Sequence, residues 1–227
     1  MQRRKILRIL SGGCVVAAGS GLAAWASLPT AMPMAAIAPW SDPGMGSQAG
    51  EDIRLRLLSF ALLAPHAHNL QSWAVDLSQP GAITLYCDLQ RLLPQTDPYS
   101  RQIMLSHGAF LEVLALAAQA HGMRADVALF PQGVFGPQKI DERPVAYIQL
   151  SPDAAVRPDP LFAHVLHRHT NRGFYDPTRL PSQQVLSAIQ LAAGEGVVVG
   201  HSSADTGVPF AELGAIAVQA WRIELLT

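Results

Sequence analysis

Residues 63–75 read LAPHAHNLQSWAV, and the fold turns on what stands on either side of them. Upstream, Ile53, Leu57, Leu58, Ala61 and Leu62 recur at helical spacing from Glu51 to Leu63, and Pro65 stops the pattern. Downstream, Trp73, Val75 and Leu77 alternate, Gln79-Pro80-Gly81 turns the chain, and Ile83, Leu85 and Cys87 alternate again. That is the pattern of a β-hairpin. The stretch is therefore a loop from helix to strand. A solvent loop has no need of His66, His68, Asn69 and Gln71 in one short run, so a polar, specific ligand is expected to dock there.

Further along, residues 88–98 form a loop that delivers the chain to a long helix from about Tyr99 to His121. Its residues Ile103, Phe110, Leu111, Leu114 and Ala118 keep helical spacing, and Gly122 supplies a left-handed stop. Strands are predicted at 124–130 and 144–150, then a helix over 160–168, and then the segment HRHTNRGFYDP from His167. Ser182 caps a predicted helix to Ala193, Val197 to Val199 make a short strand, and another helix starts near Pro209. That last helix reaches Thr227 with no Gly, Pro or polar cap, so the chain is expected to be the N-terminal part of a longer protein.

The chain has 227 residues, of which 49% are apolar and only 15% charged, against about 25% charged in ordinary soluble domains. At its start Arg3, Arg4, Lys5 and Arg8 precede an uncharged stretch from Ile9 to Ala26 that is diluted by Gly12, Gly13, Gly19 and Gly21. A basic region followed by weakly apolar sequence resembles a twin-arginine (Tat) export signal, with Gln2 where Ser is usual. Residues 1–38 are read as that signal, or as an uncut membrane anchor, and residues 39–50 as a linker rich in Pro, Gly, Ala and Met. Loss of residues 1–38 takes the net charge from −1 to −5, which argues against nucleic acid or anionic lipid as the main partner. It also leaves Cys87 alone, so no intrachain disulfide forms.

Two polar clusters carry chemistry, His66 to Gln71 and His164 to Arg172. In the second, Arg168, Arg172 and Thr170 offer planar bidentate donors and a hydroxyl, which suit a phosphate. Surface ion pairs of Arg168 and Arg172 with Asp176 or Glu142 are the plain structural alternative. A metal site on His66, His68, His164 and His167 is the weaker one, because neither pair has a neighbouring Cys or a clear carboxylate ligand. Trp73 reads as a core anchor, and His107 and His121 as helix-face histidines without a chemical role.

The run Ala64-Pro65-His66-Ala67-His68-Asn69-Leu70-Gln71-Ser72-Trp73 resembles the A-P-S-x-x-N-x-Q-P-W signature of the nitroreductase superfamily. Asp97-Pro98, Arg101 and Ser106-His107-Gly108-Ala109 are similar to that family's helix beside the flavin, and Arg168 to Tyr175 resembles its R-R-S-x-R-x-F/Y element. The resemblance implies an α+β fold, a mixed or antiparallel sheet flanked by helices. It implies flavin mononucleotide (FMN) as cofactor, held by Pro65, His66, His68, Asn69 and Gln71 at the ring and by Arg168, Thr170 and Arg172 at the phosphate. The loop precedes the phosphate element here, the reverse of the usual order, which resembles the Tat-exported Acg-like branch with two halves in one chain. Residues 51–150 would be the first half and 160–227 the incomplete start of the second.

Two positions depart from the signature: His66 replaces Ser, which is expected to narrow the substrate face, and Ser72 replaces Pro, which is expected to loosen the loop. The function expected is an exported, periplasmic or cell-envelope FMN oxidoreductase that passes electrons from a small-molecule donor to nitro- or quinone-like acceptors. The flavin carries the hydride chemistry, so no catalytic side chain is required. The alternative is a flavin-binding or flavin-storing protein without turnover.

Overall fold

The computed structural model describes residues 38–40, 52–136, 139–176, 179, 181–193, 197–200 and 210–226. The N-terminal segment read as an export signal lies outside them, apart from its last residue, Ala38, as does most of the linker.

Helix α1 (Ile53–Ala61) is capped by Asp52, whose carboxylate accepts from the Arg54 N–H at 3.0 Å. Strands β1 (Trp73–Asp76) and β2 (Ala82–Cys87) form the expected hairpin, with Trp73 opposite Cys87 and Asp76 opposite Thr84. Gly81 sits in the turn at φ +70°, a conformation that suits a residue without Cβ. Helix α2 (Arg101–Ala120) is held at its start by Asp97, whose two carboxylate oxygens accept from Arg101 N–H at 2.8 Å and Ile103 N–H at 3.0 Å. It ends at Gly122, φ +69°, as the sequence predicts. Strands β3 (Met123–Leu129) and β4 (Ala146–Pro152) complete a four-stranded sheet of order β1-β2-β4-β3. Every pairing in it is antiparallel, so of the two sheet types expected the antiparallel one is present.

The protein is thus α+β. Alternate residues of β2 and β4 (Ile83, Leu85, Ile148 and Leu150) meet Leu57, Ile103, Phe110 and Leu114 of α1 and α2 in one core. Helix α1 therefore ends against the same core that receives β1, and this fixes both ends of the loop between them.

Two expectations need correction. Residues 160–168 do not make an α-helix: a 3-10 turn covers Pro160–His164, started by the Asp159 carboxylate on the Leu161 N–H at 2.8 Å. Beyond it the His164 carbonyl accepts from both His167 and Arg168, closing isolated turns that leave the polar segment in loop conformation. Val197 to Val199 form no strand; Val198 is fully exposed, and among the described residues no edge pairs with it. Helices α3 (Gln183–Ala192), capped by Ser182 as expected, and α4 (Phe210–Leu226) follow, with Leu191, Ile216 and Trp221 exposed.

Candidate functional site

The loop after α1 is built on unusual backbone. His68, Asn69 and Gln71 all have φ near +50°, the left-handed region. Asn tolerates it, but for His and Gln it costs on the order of 1–2 kcal/mol each. Such strain persists only where the surroundings enforce it.

Several contacts do so. Below the loop, the His66 Nε2 accepts from the Ser72 N–H at 3.1 Å and lies 2.8 Å from the Ser72 hydroxyl, while Nδ1 lies 2.9 Å from the Ala67 carbonyl. Because a backbone N–H can only donate, this network assigns the proton to Nδ1. Beside the loop, the Ser106 hydroxyl of α2 accepts from the Ala67 N–H at 3.1 Å and donates to the Gln102 carbonyl at 2.7 Å. Arg91 reaches the Leu70 and Gln71 carbonyls at 3.2 and 3.3 Å and is itself paired with Asp88.

The two signature departures meet in the structure, and only the expectation that Ser72 loosens the loop is corrected. His66 is half-buried with both ring nitrogens turned to its own loop, and Ser72, fully buried, ties that loop down instead of loosening it. The His66 ring packs edge-on against Trp73 at 4.7 Å, and Trp73 in turn lies 5.0 Å from Phe110. Burial pushes the His66 pKa below its ordinary value, opposed by the Ala67 carbonyl. His107, expected on a helix face, is instead fully buried in this aromatic cluster, with its Nδ1 2.9 Å from the Ile103 carbonyl. Burial lowers its pKa as well.

Above the loop lies a cavity of about 540 Å³, within the range of roughly 300–1,000 Å³ usual for small-molecule sites. Pro65, His66, His68, Asn69 and Gln71 line it from one side, Arg168, Thr170 and Arg172 from the other. All eight residues singled out from the sequence thus face one space, although about a hundred positions separate the two clusters.

The two arginines do not form the surface ion pairs considered above. Among the described residues Arg168 and Arg172 have no carboxylate partner; Arg168 donates to the Leu63 carbonyl at 3.2 Å and its guanidinium lies over the Trp40 ring at 5.3 Å. The donor set therefore fits an anionic group, with amides opposite it that can both donate and accept. A metal fits less well. His66 has no ring nitrogen to spare, and no group of three or more His, Cys, Asp or Glu suited to a metal occurs among the described residues.

Reading the sequence missed Trp40, which was assigned to a linker yet forms part of the cavity wall with Pro39. A lone indole in a Pro, Gly and Ala stretch was the available signal. It missed Arg91 too, and the contact that Ser106 makes with the loop, because their partners are backbone atoms that no side-chain pattern reveals.

No protein-family model matches the chain. Over 149 residues it is 30% identical to a Mycobacterium tuberculosis protein named as a candidate NAD(P)H nitroreductase, covering 65% of this chain and 41% of that protein. An uncharacterised protein of the same organism is 34% identical over 95 residues, 40% of this chain and 26% of its own length. The candidate nitroreductase acg, also of M. tuberculosis, is 32% identical over 80 residues, 35% of this chain and 24% of its own length. The chain thus spans less than half the length of these curated relatives. A solved candidate nitroreductase from Exiguobacterium sibiricum, in complex with FMN, aligns over 69% of this chain and 97% of its own at 15% identity with a TM-score of 0.33, too low to carry an argument.

Proposed function

We propose that this chain carries the FMN site of a nitroreductase-like flavoprotein. The observation that supports this best is the single cavity shared by the His66–Gln71 loop and the Arg168–Arg172 segment. Asn69 and Gln71 present amides suited to the pyrimidine edge of a flavin, which has both donors and acceptors. Arg168, Arg172 and Thr170 suit its phosphate. The relatives named as nitroreductases point the same way.

Bound flavin supplies the hydride chemistry, and the protein supplies position and electrostatics. The chain's own part is to hold the ring edge against a strained, clamped loop and to neutralise the phosphate with two arginines that have no carboxylate partner among the described residues. The reading extends to electron transfer from a small-molecule donor to nitroaromatic or quinone-like acceptors. It also extends to export by the twin-arginine route to the periplasm or cell envelope, on the strength of Arg3-Arg4 and the weakly apolar stretch after them.

The activity is tested by anaerobic reduction of the flavin-loaded protein with candidate donors, including reduced nicotinamide, followed by addition of a quinone or nitroaromatic. Turnover supports the oxidoreductase. A flavin that stays oxidised with every donor supports the storage protein instead. Export is tested by Arg3→Lys with Arg4→Lys, which is expected to retain the protein in the cytoplasm; unchanged export contradicts the route.

A further inference from the structure

Trp40 stands outside both motif clusters, yet it touches the cavity's most enclosed cation. Its half-buried indole packs against the core, and the Arg168 guanidinium lies over it at 5.3 Å. The other contact of Arg168 is a backbone carbonyl, Leu63 O at 3.2 Å, and no carboxylate neutralises it among the described residues.

A guanidinium has five N–H donors, all in its plane. A cation–π contact with an indole brings no opposing charge and occupies no oxygen acceptor, so it does not compete with an incoming anion. A carboxylate partner would hold the side chain equally well but would cancel its charge toward an incoming anion. An indole holds it and leaves the charge in place. Arg172, exposed and without a partner among the described residues, has no such support.

We infer that Trp40 is a positioning residue for phosphate recognition: it holds the Arg168 guanidinium through a cation–π contact, so that Pro39 and Trp40, ahead of helix α1, complete the ligand site. This rests on the flavin reading and adds to it a source of discrimination between flavins. FMN, which has the phosphate, depends on Trp40; riboflavin, which lacks it, does not.

The test is calorimetric titration of the purified protein, stripped of any bound flavin, with FMN and separately with riboflavin. For Trp40→Ala the FMN affinity is expected to fall by about 3- to 30-fold, the span of one cation–π contact, with riboflavin affinity nearly unchanged. Trp40→Phe keeps a ring and is expected to recover most of the loss. Arg168→Met reduces the preference for FMN, and adding Trp40→Ala to it causes no further loss. An equal fall for both flavins would reduce Trp40 to a wall of the cavity and overturn the inference, as would no change in either. Failure of the wild-type protein to bind any flavin would be seen before any variant is compared, and would remove the flavin reading together with the inference.

Discussion

His66 and Ser72, the two residues that depart from the nitroreductase-like signature, are hydrogen-bonded to each other: Ser72 N–H to His66 Nε2 at 3.1 Å, with the Ser72 hydroxyl 2.8 Å from the same nitrogen. A Pro at position 72 has no N–H to give, and a Ser at position 66 has no ring to receive it. Each departure makes sense through the other.

The pair should therefore behave as one unit. His66→Ser alone leaves the buried Ser72 N–H without its acceptor, a loss of roughly 1–3 kcal/mol. Ser72→Pro alone removes the donor. The double variant is expected to be more stable than the sum of the two losses by about 1 kcal/mol, read from urea midpoints at pH 7.5. Simple additivity would show that the two positions act independently.

Acid should weaken the same region. Burial lowers the folded-state pKa of both His66 and His107, whose rings lie 6.3 Å apart, below the ordinary value of 6.5. In that case the unfolded chain binds more protons below about pH 6.5, and stability falls as pH drops through the folded values. The urea midpoint is expected to be flat for these groups above about pH 7 and to decline toward pH 5, with a smaller decline in His66→Ser. A midpoint that rises on acidification would refute the assignment of neutral, buried rings.

Strain in the loop predicts a trade between stability and binding. Gln71 sits at φ +50° without being glycine. Gln71→Gly should raise stability by up to about 1 kcal/mol, the relief of left-handed strain less the entropy of glycine, and should weaken FMN by deleting the amide. A thermal scan and one titration measure both. A less stable Gln71→Gly protein would show that the side chain contributes more than the strain costs.

Away from the cavity, Arg54 joins α1 to the hairpin. Its Nη1 donates to the carbonyls of Leu77, Gln79 and Ala82 at 2.7–2.9 Å, and Asp52 pairs with its other edge at 2.6 Å. Arg54→Met is expected to destabilise the fold by about 2 kcal/mol, since charged donors to part-buried carbonyls are lost. Arg54→Lys should recover little, because an ammonium cannot span the same acceptors. Full rescue by Lys would point to charge alone.

How much of this was legible in the sequence differs by element. The hairpin and the long helix with its Gly122 stop follow from apolar spacing and turn residues, and these local signals decide local structure, whereas the α+β class came from the family resemblance. The 160–168 segment carried helical spacing too, but its end is set by the His164 carbonyl and by the cavity it borders, which spacing does not encode. At the site, amides, imidazoles and guanidinia crowding two short runs drew attention to both clusters, and the resemblance to the family signature completed the set of eight with Pro65. Their mutual support was not legible, since Ser72, Ser106, Arg91 and Trp40 act through backbone atoms or through contacts far apart in the chain.

The most direct test of the central claim is an absorbance spectrum of the purified protein after incubation with FMN and removal of excess, followed by heat release and chromatography of the chromophore. The account predicts two flavin bands and close to one FMN released per chain, lost in the double variant Arg168→Met, Arg172→Met. A colourless protein that retains no flavin would contradict it, leaving the cavity between the His66–Gln71 loop and Arg168 to some other anionic ligand.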